Sequence, residues 1–346
     1  TKGDLGLDVL DAMSSMVDKS LVQQVEQVDK ETRFFMLSTI REYALERLAE
    51  SKDESATRRA HAAYYLVLAE EGAEENIAAR PEWLDRFEIE HDNFRLAIDY
   101  LIKTGNAEWG LRMGNALLRF WETREHLAEG RDAAARLLAL EGAAARPKLR
   151  ARLLFAAGVL AAAQSDYDPA RRMFEESMET CVQLNDNHGI AVALNAIGVD
   201  ARDHGDLGDA SRLFEQCVAI WKTLGEPAGI ARALSNLASV MKLQGEYERA
   251  SSLYDECVTM FREAGDGAGV AWTLNYLGDV AREKADFIAA VSLCQQSLSE
   301  FRQLRDSWGI ASTLFDMASL SCDQGNNAEA RRLYGESIKV FQELGY

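Results

Sequence analysis

Residues 189–228 read GIAVALNAIGVDARDHGDLGDASRLFEQCVAIWKTLGEPA, and residues 229–268 read GIARALSNLASVMKLQGEYERASSLYDECVTMFREAGDGA. The two stretches align without a gap. Their opening Gly-Ile-Ala returns as Gly-Val-Ala at 269–271 and Gly-Ile-Ala at 309–311, a period of 40 residues. A fixed period of this length is typical of stacked helical repeats, in which each unit buries its apolar face against the next. The chain is therefore predicted to be a repeat protein over much of its length.

Each unit carries the pattern of two helices joined by a tight turn. A leucine followed four residues later by Gly or Ala marks a helix face that a neighbour approaches closely; these pairs lie at 154/158, 194/198, 234/238, 274/278 and 314/318. Further on, an alanine is followed after four residues by Phe174, Phe214, Tyr254, Cys294 or Tyr334, which marks the second helix. Gly205, Gly245 and Gly325 predict the left-handed residue that ends a first helix. Ser165 and Ala285 replace that glycine and predict slightly strained or differently closed turns.

The composition limits the classes of function. With 346 residues, of which 47% are hydrophobic, 27% are charged and only four are proline, the chain fits a folded, mostly α-helical protein of two or three domains. Its net charge of −18 repels phosphate backbones, so nucleic acid is not an expected partner. The sequence contains neither a long apolar run nor a secretory signal, so we expect no membrane partner and a cytoplasmic location.

The sequence offers no pattern for catalysis, a cofactor or a metal. The five cysteines are widely separated, so reduced, buried thiols are expected rather than disulfides or a zinc site. The five histidines have no Cys or carboxylate at metal-ligand spacing, and no nucleophile elbow or H-E-x-x-H motif occurs. Residues 88–92, EIEHD, form the densest polar cluster; an acid/base or metal site is one interpretation, and an acidic helix surface is favoured. We therefore expect a protein that is not an enzyme.

Leu194, Gly198, Gly205, Ala210 and Phe214 together resemble the core of the tetratricopeptide repeat family. That family's usual unit has about 34 residues, and the extra residues here fall between the second helix of one unit and the first helix of the next. Armadillo and HEAT units are of similar length but do not require this combination of small and aromatic residues. The resemblance implies an all-α fold, a right-handed α-α superhelix, with five units at 149–188, 189–228, 229–268, 269–308 and 309–346.

The part of the chain before these units carries weaker patterns. Residues 109–148 are predicted to form a degenerate repeat-like hairpin that caps the stack, and residues 51–108 a helical connector. Residues 7–19 predict a helix, residues 20–28 and 33–37 two short strands, and Thr39 begins a further helix.

This N-terminal order, with the stretch from Trp83 to Arg95, resembles the region around the end of the winged-helix domain in bacterial signal-transducing NTPases of the NB-ARC or STAND type. In that family an NTPase motor precedes tetratricopeptide repeats, so residues 1–50 are expected to be a partial, winged-helix-like α/β segment. The chain has no G-x-x-x-x-G-K-[ST] motif, and ATP binding is not expected. The predicted wing tip carries Asp29 and Glu31 beside Lys30, which favours packing over DNA readout. The missing initial Met and the stop after Gly345-Tyr346 indicate a piece of a longer protein.

In tetratricopeptide arrays the first helices line a concave groove, and the resemblance assigns partner-binding positions here. Arg202, Lys242 and Arg282 form a basic stripe suited to the carboxylates of a bound segment. The other candidates are Arg232, Asn195, Asn236, Asn275, Trp272 and Tyr276. The alternative is that the cations only pair with Asp203, Asp279 and Glu283 on the same helices.

The sequence therefore predicts a non-catalytic interaction or effector-sensing module of a bacterial STAND-type regulator. Its expected partner is a protein or peptide segment of acidic character, or a small effector. The alternative is a structural adaptor that self-associates through the face of its last repeat, because terminal repeats normally need a polar outer surface.

Overall fold

The computed structural model describes residues 9–26, 32–74 and 80–344. The N-terminal part consists of α1 (Val9–Asp18), an antiparallel hairpin of β1 (Val22–Glu26) and β2 (Thr32–Met36), and α2 (Ser38–Ala49). The hairpin pairs Val22 with Met36 and Glu26 with Thr32. The predicted small α/β segment is confirmed. Residues 1–8, the wing tip with Asp29, Lys30 and Glu31, and Gly345-Tyr346 lie outside the described ranges.

Between this segment and the repeats, the described residues form five helices and one short 3-10 turn. They are α3 (Glu54–Glu74), α4 (Pro81–Ile89), α5 (His91–Lys103), α6 (Ala107–Thr123) and α7 (Leu127–Leu138), followed by the 3-10 turn at Glu141–Ala143. The predicted hairpin before the first unit corresponds to α6 and α7, which pack on each other.

Ten helices of similar length follow in consecutive pairs. The pairs are α8 (Pro147–Ala163) with α9 (Tyr167–Gln183), α10 (Asn187–Asp203) with α11 (Leu207–Leu224), α12 (Pro227–Leu243) with α13 (Tyr247–Glu263), α14 (Gly267–Glu283) with α15 (Phe287–Leu304), and α16 (Ser307–Asp323) with α17 (Asn327–Glu343). Each second helix also packs on the first helix of the next pair. The fold class predicted from the sequence is confirmed, since helix pairs stack as a solenoid after one small sheet.

Small residues face larger side chains across the helix pairs, an aromatic ring at Gly158 and Gly198 and Cys294 at Gly278. A methyl group placed on Gly198 of α10 would lie only 2.7 Å from the Phe214 ring of α11. Between pairs, a methyl group on Gly269 of α14 would lie 2.5 Å from the Phe261 ring of α13. Since carbon atoms in contact lie about 3.5–4.0 Å apart, these glycines permit the close approach of the helices. The recurring Gly-Ile-Ala therefore marks where one unit packs on the next.

A second recurring contact joins the two helices within a unit. One small side chain of each second helix donates a hydrogen bond to the carbonyl oxygen 26 residues earlier, at 2.8 Å from serine and 3.2 Å from cysteine. The donors are Ser177, Cys217, Cys257, Ser297 and Ser337. A larger side chain would separate the helices, and an apolar one would remove the bond.

The cysteines largely follow the prediction of buried thiols. Cys181, Cys217, Cys257 and Cys294 are free and buried, whereas Cys322 is exposed, so the prediction was wrong for that residue. Cys322 lies 40 residues after Arg282, at the same register on its first helix, and that register faces away from the core.

The turns also follow the sequence pattern. Gly205, Gly245 and Gly325 have φ angles of +83°, +78° and +76°, so the left-handed residue is present as predicted. Ser165 and Ala285 adopt the same conformation with φ of +60° and +58°. Because a side chain in this region clashes with the backbone, the predicted strain at these two turns is confirmed.

Two further observations concern the molecule as a whole. Phe94 of α5 and Phe120 and Trp121 of α6 share one apolar core with Leu153 and Leu160 of α8, so these helices and the first unit pack as one body. Among the described helices, none has both the length and the apolar character that a bilayer crossing requires.

Candidate functional site: the surface of the first helices

All nine predicted binding residues lie on α10, α12 and α14, the first helices of three consecutive units. A cleft of about 300 Å³ opens between these helices and α13. Four of the predicted residues line it: Arg202, Asn236, Lys242 and Tyr276. The rest of the lining is Ser235, Ser239, Leu243 and Tyr254. The structure thus brings these four together, whereas Asn195, Arg232, Trp272, Asn275 and Arg282 lie outside the lining.

The asparagines link neighbouring units. Asn236 donates from Nδ2 to Oδ1 of Asn195 at 2.8 Å. Two units later, Asn275 donates from Nδ2 to Oδ2 of Asp316 at 2.6 Å. Both pairs are 41 residues apart in sequence. Asn275 is only 4% exposed, and its amide joins α14 to α16.

The cations of the predicted basic stripe are paired with acidic side chains. Lys242 Nζ lies 2.5 Å from a carboxylate oxygen of Asp279 on the next first helix. The Arg282 guanidinium contacts Asp279 at 3.1 Å, Asp323 at 3.0 Å and Glu283 at 3.2 Å.

Arg202 pairs with Asp203 at 2.8 Å and donates to the Ser239 hydroxyl at 3.2 Å. The pairing with Asp203, Asp279 and Glu283 that the sequence left open is present, and Asp323 extends it.

Two carboxyl groups on this surface have pKa values displaced in opposite directions. Burial alone would raise the pKa of Asp279, but the hydrogen bonds and charges of Lys242 and Arg282 outweigh it and hold that pKa below its usual range. Burial raises the pKa of Asp316, and the nearby charge of Asp279 adds to the rise while the Asn275 hydrogen bond opposes it. The neighbouring cations thus favour ionisation of Asp279, whereas burial disfavours ionisation of Asp316.

Aromatic side chains form one wall of the cleft. Tyr276 is 39% exposed and lies 5.7 Å from Tyr254 between ring centroids. Burial raises the pKa of the Tyr254 hydroxyl, which therefore stays neutral and able to donate. Trp272 stacks beside Tyr276 at 6.1 Å and packs edge-on against Phe301 at 4.9 Å, so part of its ring belongs to the core.

The comparisons with known proteins agree with this geometry. The family model described as tetratricopeptide repeat matches residues 149–223 and 229–303. Residues 149–223 and 229–303 form tetratricopeptide repeats. A second model, anaphase-promoting complex subunit 5, matches residues 282–345 of the array.

Relatives in sequence include proteins of Mycobacterium tuberculosis and Mycobacterium bovis named as HTH-type transcriptional regulators. Each is 36% identical to this chain over 125 residues, which are 35% of this chain and 14% of the relative. The chain thus matches about a seventh of the length of these relatives.

Solved structures of similar fold cover more of the chain. A STAND protein with a tetratricopeptide repeat sensor from Pyrococcus horikoshii is 14% identical, with a TM-score of 0.57 over 99% of this chain and 53% of that chain. The apo form of RapI is 16% identical, with a TM-score of 0.64 over 82% of this chain and 99% of its own. A Rap protein complexed with competence and sporulation factor is 11% identical, with a TM-score of 0.57 over 84% and 99%. At these identities the likeness shows the fold.

A second cleft of the array was missed by the sequence reasoning. It encloses about 330 Å³ beside the first cleft and is mainly apolar, with Val159, Phe174 and Val199 among its lining residues. Asp200 and Asp203 give it an acidic edge. The signal was present in the sequence, because Val159 and Val199 occupy the register of Ser239, which lines the first cleft.

The polar cluster at 88–92 differs from the acidic helix surface that was favoured. His91 is only 7% exposed and bonds through Nε2 to Glu129 at 2.8 Å. Glu88 contacts Nε2 of His126 at 3.2 Å, and the two imidazole rings lie 4.1 Å apart. Since these contacts join residues 38 positions apart, spacing within the 88–92 segment gave no signal for them.

Proposed function

We propose that the array is a non-catalytic, cytoplasmic sensing module of a STAND-type signal-transducing regulator, and that it binds an extended peptide or protein segment along its first helices. The observation that carries this proposal is the cleft formed by α10, α12, α13 and α14. It combines neutral hydroxyl and amide groups with an exposed aromatic ring, which is the mixture that recurs at protein-binding surfaces. A small effector is the alternative ligand.

The similar proteins support the same assignment. One structural neighbour is named as a STAND protein whose sensor is a tetratricopeptide array, and another was solved with competence and sporulation factor bound. The relatives in sequence are named as transcriptional regulators. In the proposed arrangement, binding changes how the array contacts an NTPase motor elsewhere in such a regulator.

The contacts support an assignment of each residue to one part of the proposed ligand. Asn236 and Ser239 have the donors and acceptors that a peptide backbone needs, and Tyr276 presents a ring face to an apolar side chain. A ligand carboxylate competes with Asp203 for Arg202, because Asp203 is half exposed. Lys242 is less available, since its Asp279 partner is itself held by Arg282. An acidic residue is therefore proposed to bind at Arg202.

A peptide-display selection tests the proposal. Peptides selected on the wild-type chain are measured by fluorescence anisotropy against a double variant, Asn236→Ala with Tyr276→Ala, and against Arg249→Ala on α13 as a control outside the cleft. We expect the double variant to weaken binding at least about tenfold, since truncating a central interface residue costs more than about 1 kcal/mol. The control should bind as the wild type does. Failure to select any binder, or equal affinity for the double variant, contradicts the proposal.

Self-association is a second candidate, favoured by one observation on the last pair. Ile338 of α17 is 55% exposed, whereas Val218, Val258 and Leu298 at the same register are buried. The proposed partner is a second copy of the chain, which would cover this apolar face. Light scattering at rising concentration should detect a dimer that Ile338→Glu abolishes; a monomer at every concentration excludes this candidate.

A further inference from the structure

Outside the cleft, two imidazoles and a carboxylate converge among the helices that precede the first unit. Glu88 lies near the end of α4, His91 begins α5, and His126 precedes α7. One nitrogen or oxygen atom from each of the three side chains lies within 4.8 Å of the other two. This convergence is formed by the fold, because α4 and α5 contribute two groups and the turn between α6 and α7 contributes the third.

The donor set has a defined chemical preference. Two imidazoles with one carboxylate suit zinc and neighbouring transition metals, whereas calcium and magnesium prefer oxygen ligands alone. Three protein ligands with an open fourth position are also a recurring arrangement around zinc.

The distances are close to those that a tetrahedral ion needs. With bonds of about 2.0–2.1 Å, ligand atoms around zinc lie roughly 3.3 Å apart. Glu88 and His126 already meet this spacing at 3.2 Å. The three ligand atoms lie within 4.8 Å of one another, so a contraction of up to about 1.5 Å towards His91 would complete the set. Glu88 and His126 are more exposed than His91 and would supply this movement.

The surroundings hold the ligands in place. The His91 ring packs edge-on against Phe120 at 5.1 Å between centroids, and its Nε2 is bonded to Glu129. Glu129 is in turn held by Arg95. A carboxylate on one imidazole nitrogen is the usual outer partner of a metal-binding histidine, because it fixes the ring and increases its basicity.

From this geometry we propose that Glu88, His91 and His126 form a binding site for a zinc-like divalent transition metal, with Glu129 as a positioning residue. Occupation of the site would tie the α4–α5 junction to the α6–α7 junction. The site shares no residue with the cleft of the first helices, so the metal-binding proposal does not depend on the peptide-binding proposal.

Titration of the tag-free, chelator-stripped chain with Zn²⁺ tests the site, with affinity measured by competition against a chromophoric chelator. We expect one ion per chain and a rise in Tm on binding. Glu88→Gln and His126→Gln should each weaken binding at least about tenfold, and Glu129→Gln by roughly 10- to 100-fold, the range found for outer partners. His204→Gln, an exposed histidine on another turn, is the matched control and should bind as the wild type does.

Thermal unfolding of the metal-free variants separates loss of the site from loss of the fold, since Glu88 and His126 are only partly buried and their glutamine variants should keep the wild-type Tm. A parallel titration with Ca²⁺ should leave Tm unchanged. The proposal is overturned if the wild type binds no zinc, or if Glu88→Gln and His126→Gln bind zinc with the affinity of the wild type. It is also overturned if calcium binds and zinc does not.

Discussion

Replacing Asp316 by asparagine tests how the first helices of neighbouring units are joined. Asp316 accepts a hydrogen bond from Asn275, yet Oδ1 of Asn275 is buried and has no hydrogen-bond partner among the described residues. Two units earlier, the same two positions hold Asn195 and Asn236, which bond through their amides. Asp316→Asn copies that amide pair at the later junction, and we expect it to stabilise the chain.

Two contributions set the size of the effect. The new amide of residue 316 can donate to the unsatisfied Oδ1 of Asn275, and one hydrogen bond contributes about 1 kcal/mol net. The substitution also removes a carboxylate whose ionisation burial opposes. Together we expect a gain of about 1–2 kcal/mol in the free energy of unfolding at pH 8, or a rise in Tm of roughly 3 °C.

The gain should depend on pH in one direction. Burial raises the pKa of Asp316 in the folded chain above its unfolded value, so at high pH the wild type holds an ionised carboxylate that destabilises it. As the pH falls through the raised folded pKa to the unfolded value, near 3.9, this cost disappears. The advantage of Asp316→Asn is therefore largest at pH 8 and shrinks towards the hydrogen-bond contribution near pH 4.

Thermal unfolding at several pH values measures the gain, and amide exchange of α14 and α16 locates it at their junction. Asn236→Asp is the reciprocal variant, since it places a carboxylate in the existing amide pair, and it should destabilise the chain most at high pH. The reasoning is refuted if Asp316→Asn leaves Tm at pH 8 unchanged or lower, or if its advantage grows as the pH falls.

Three further predictions concern the packing of the units. Ala285→Gly should raise the free energy of unfolding by about 1 kcal/mol, because it relieves a left-handed alanine, while Gly245→Ala should lower it; chemical denaturation measures both. Ser337→Ala should cost about 1 kcal/mol through loss of its buried bond, and Ser337→Cys should cost less, since Cys217 makes the same contact elsewhere. A thiol reagent should modify Cys322 rapidly in the native chain and the four buried cysteines slowly, which mass spectrometry resolves.

The fold could be predicted from the sequence because its causes are local and repeated. Gly198 and Phe214 are matched because one makes room for the other, and the same fit recurs between Gly158 and Phe174. The strain at Ser165 and Ala285 was predictable for the same reason, since glycine at the equivalent turns shows which conformation is needed. Each local pattern is weak alone, but it recurs every 40 residues, and the recurrence makes the repeat fold recognisable.

The candidate site was only partly predictable, because the side chains of the first helices contact the next unit as well as solvent. Lys242 reaches Asp279, 37 residues on, and Arg282 reaches Asp323, 41 residues on. A reading based on one helix at a time finds Asp203 and Glu283 as partners but not these contacts. The period alone does not reveal the offsets, which depend on how one first helix lies beside the next.

Once known, the offsets of 37 and 41 residues explain why the surface changes along the array. Where both positions are charged, as with Lys242 and Asp279, the side chains of neighbouring units neutralise each other. Where the first unit has Val159 and Ala162, no such pair forms and an apolar cleft remains. A ligand that lies along the first helices therefore meets the apolar cleft with its acidic edge and then the cleft lined by tyrosine and asparagine. Beyond these it meets a surface whose charged side chains pair with one another. This order favours an elongated ligand with an apolar end over one that is acidic throughout, since a uniformly acidic segment would meet Asp200 and Asp203 first.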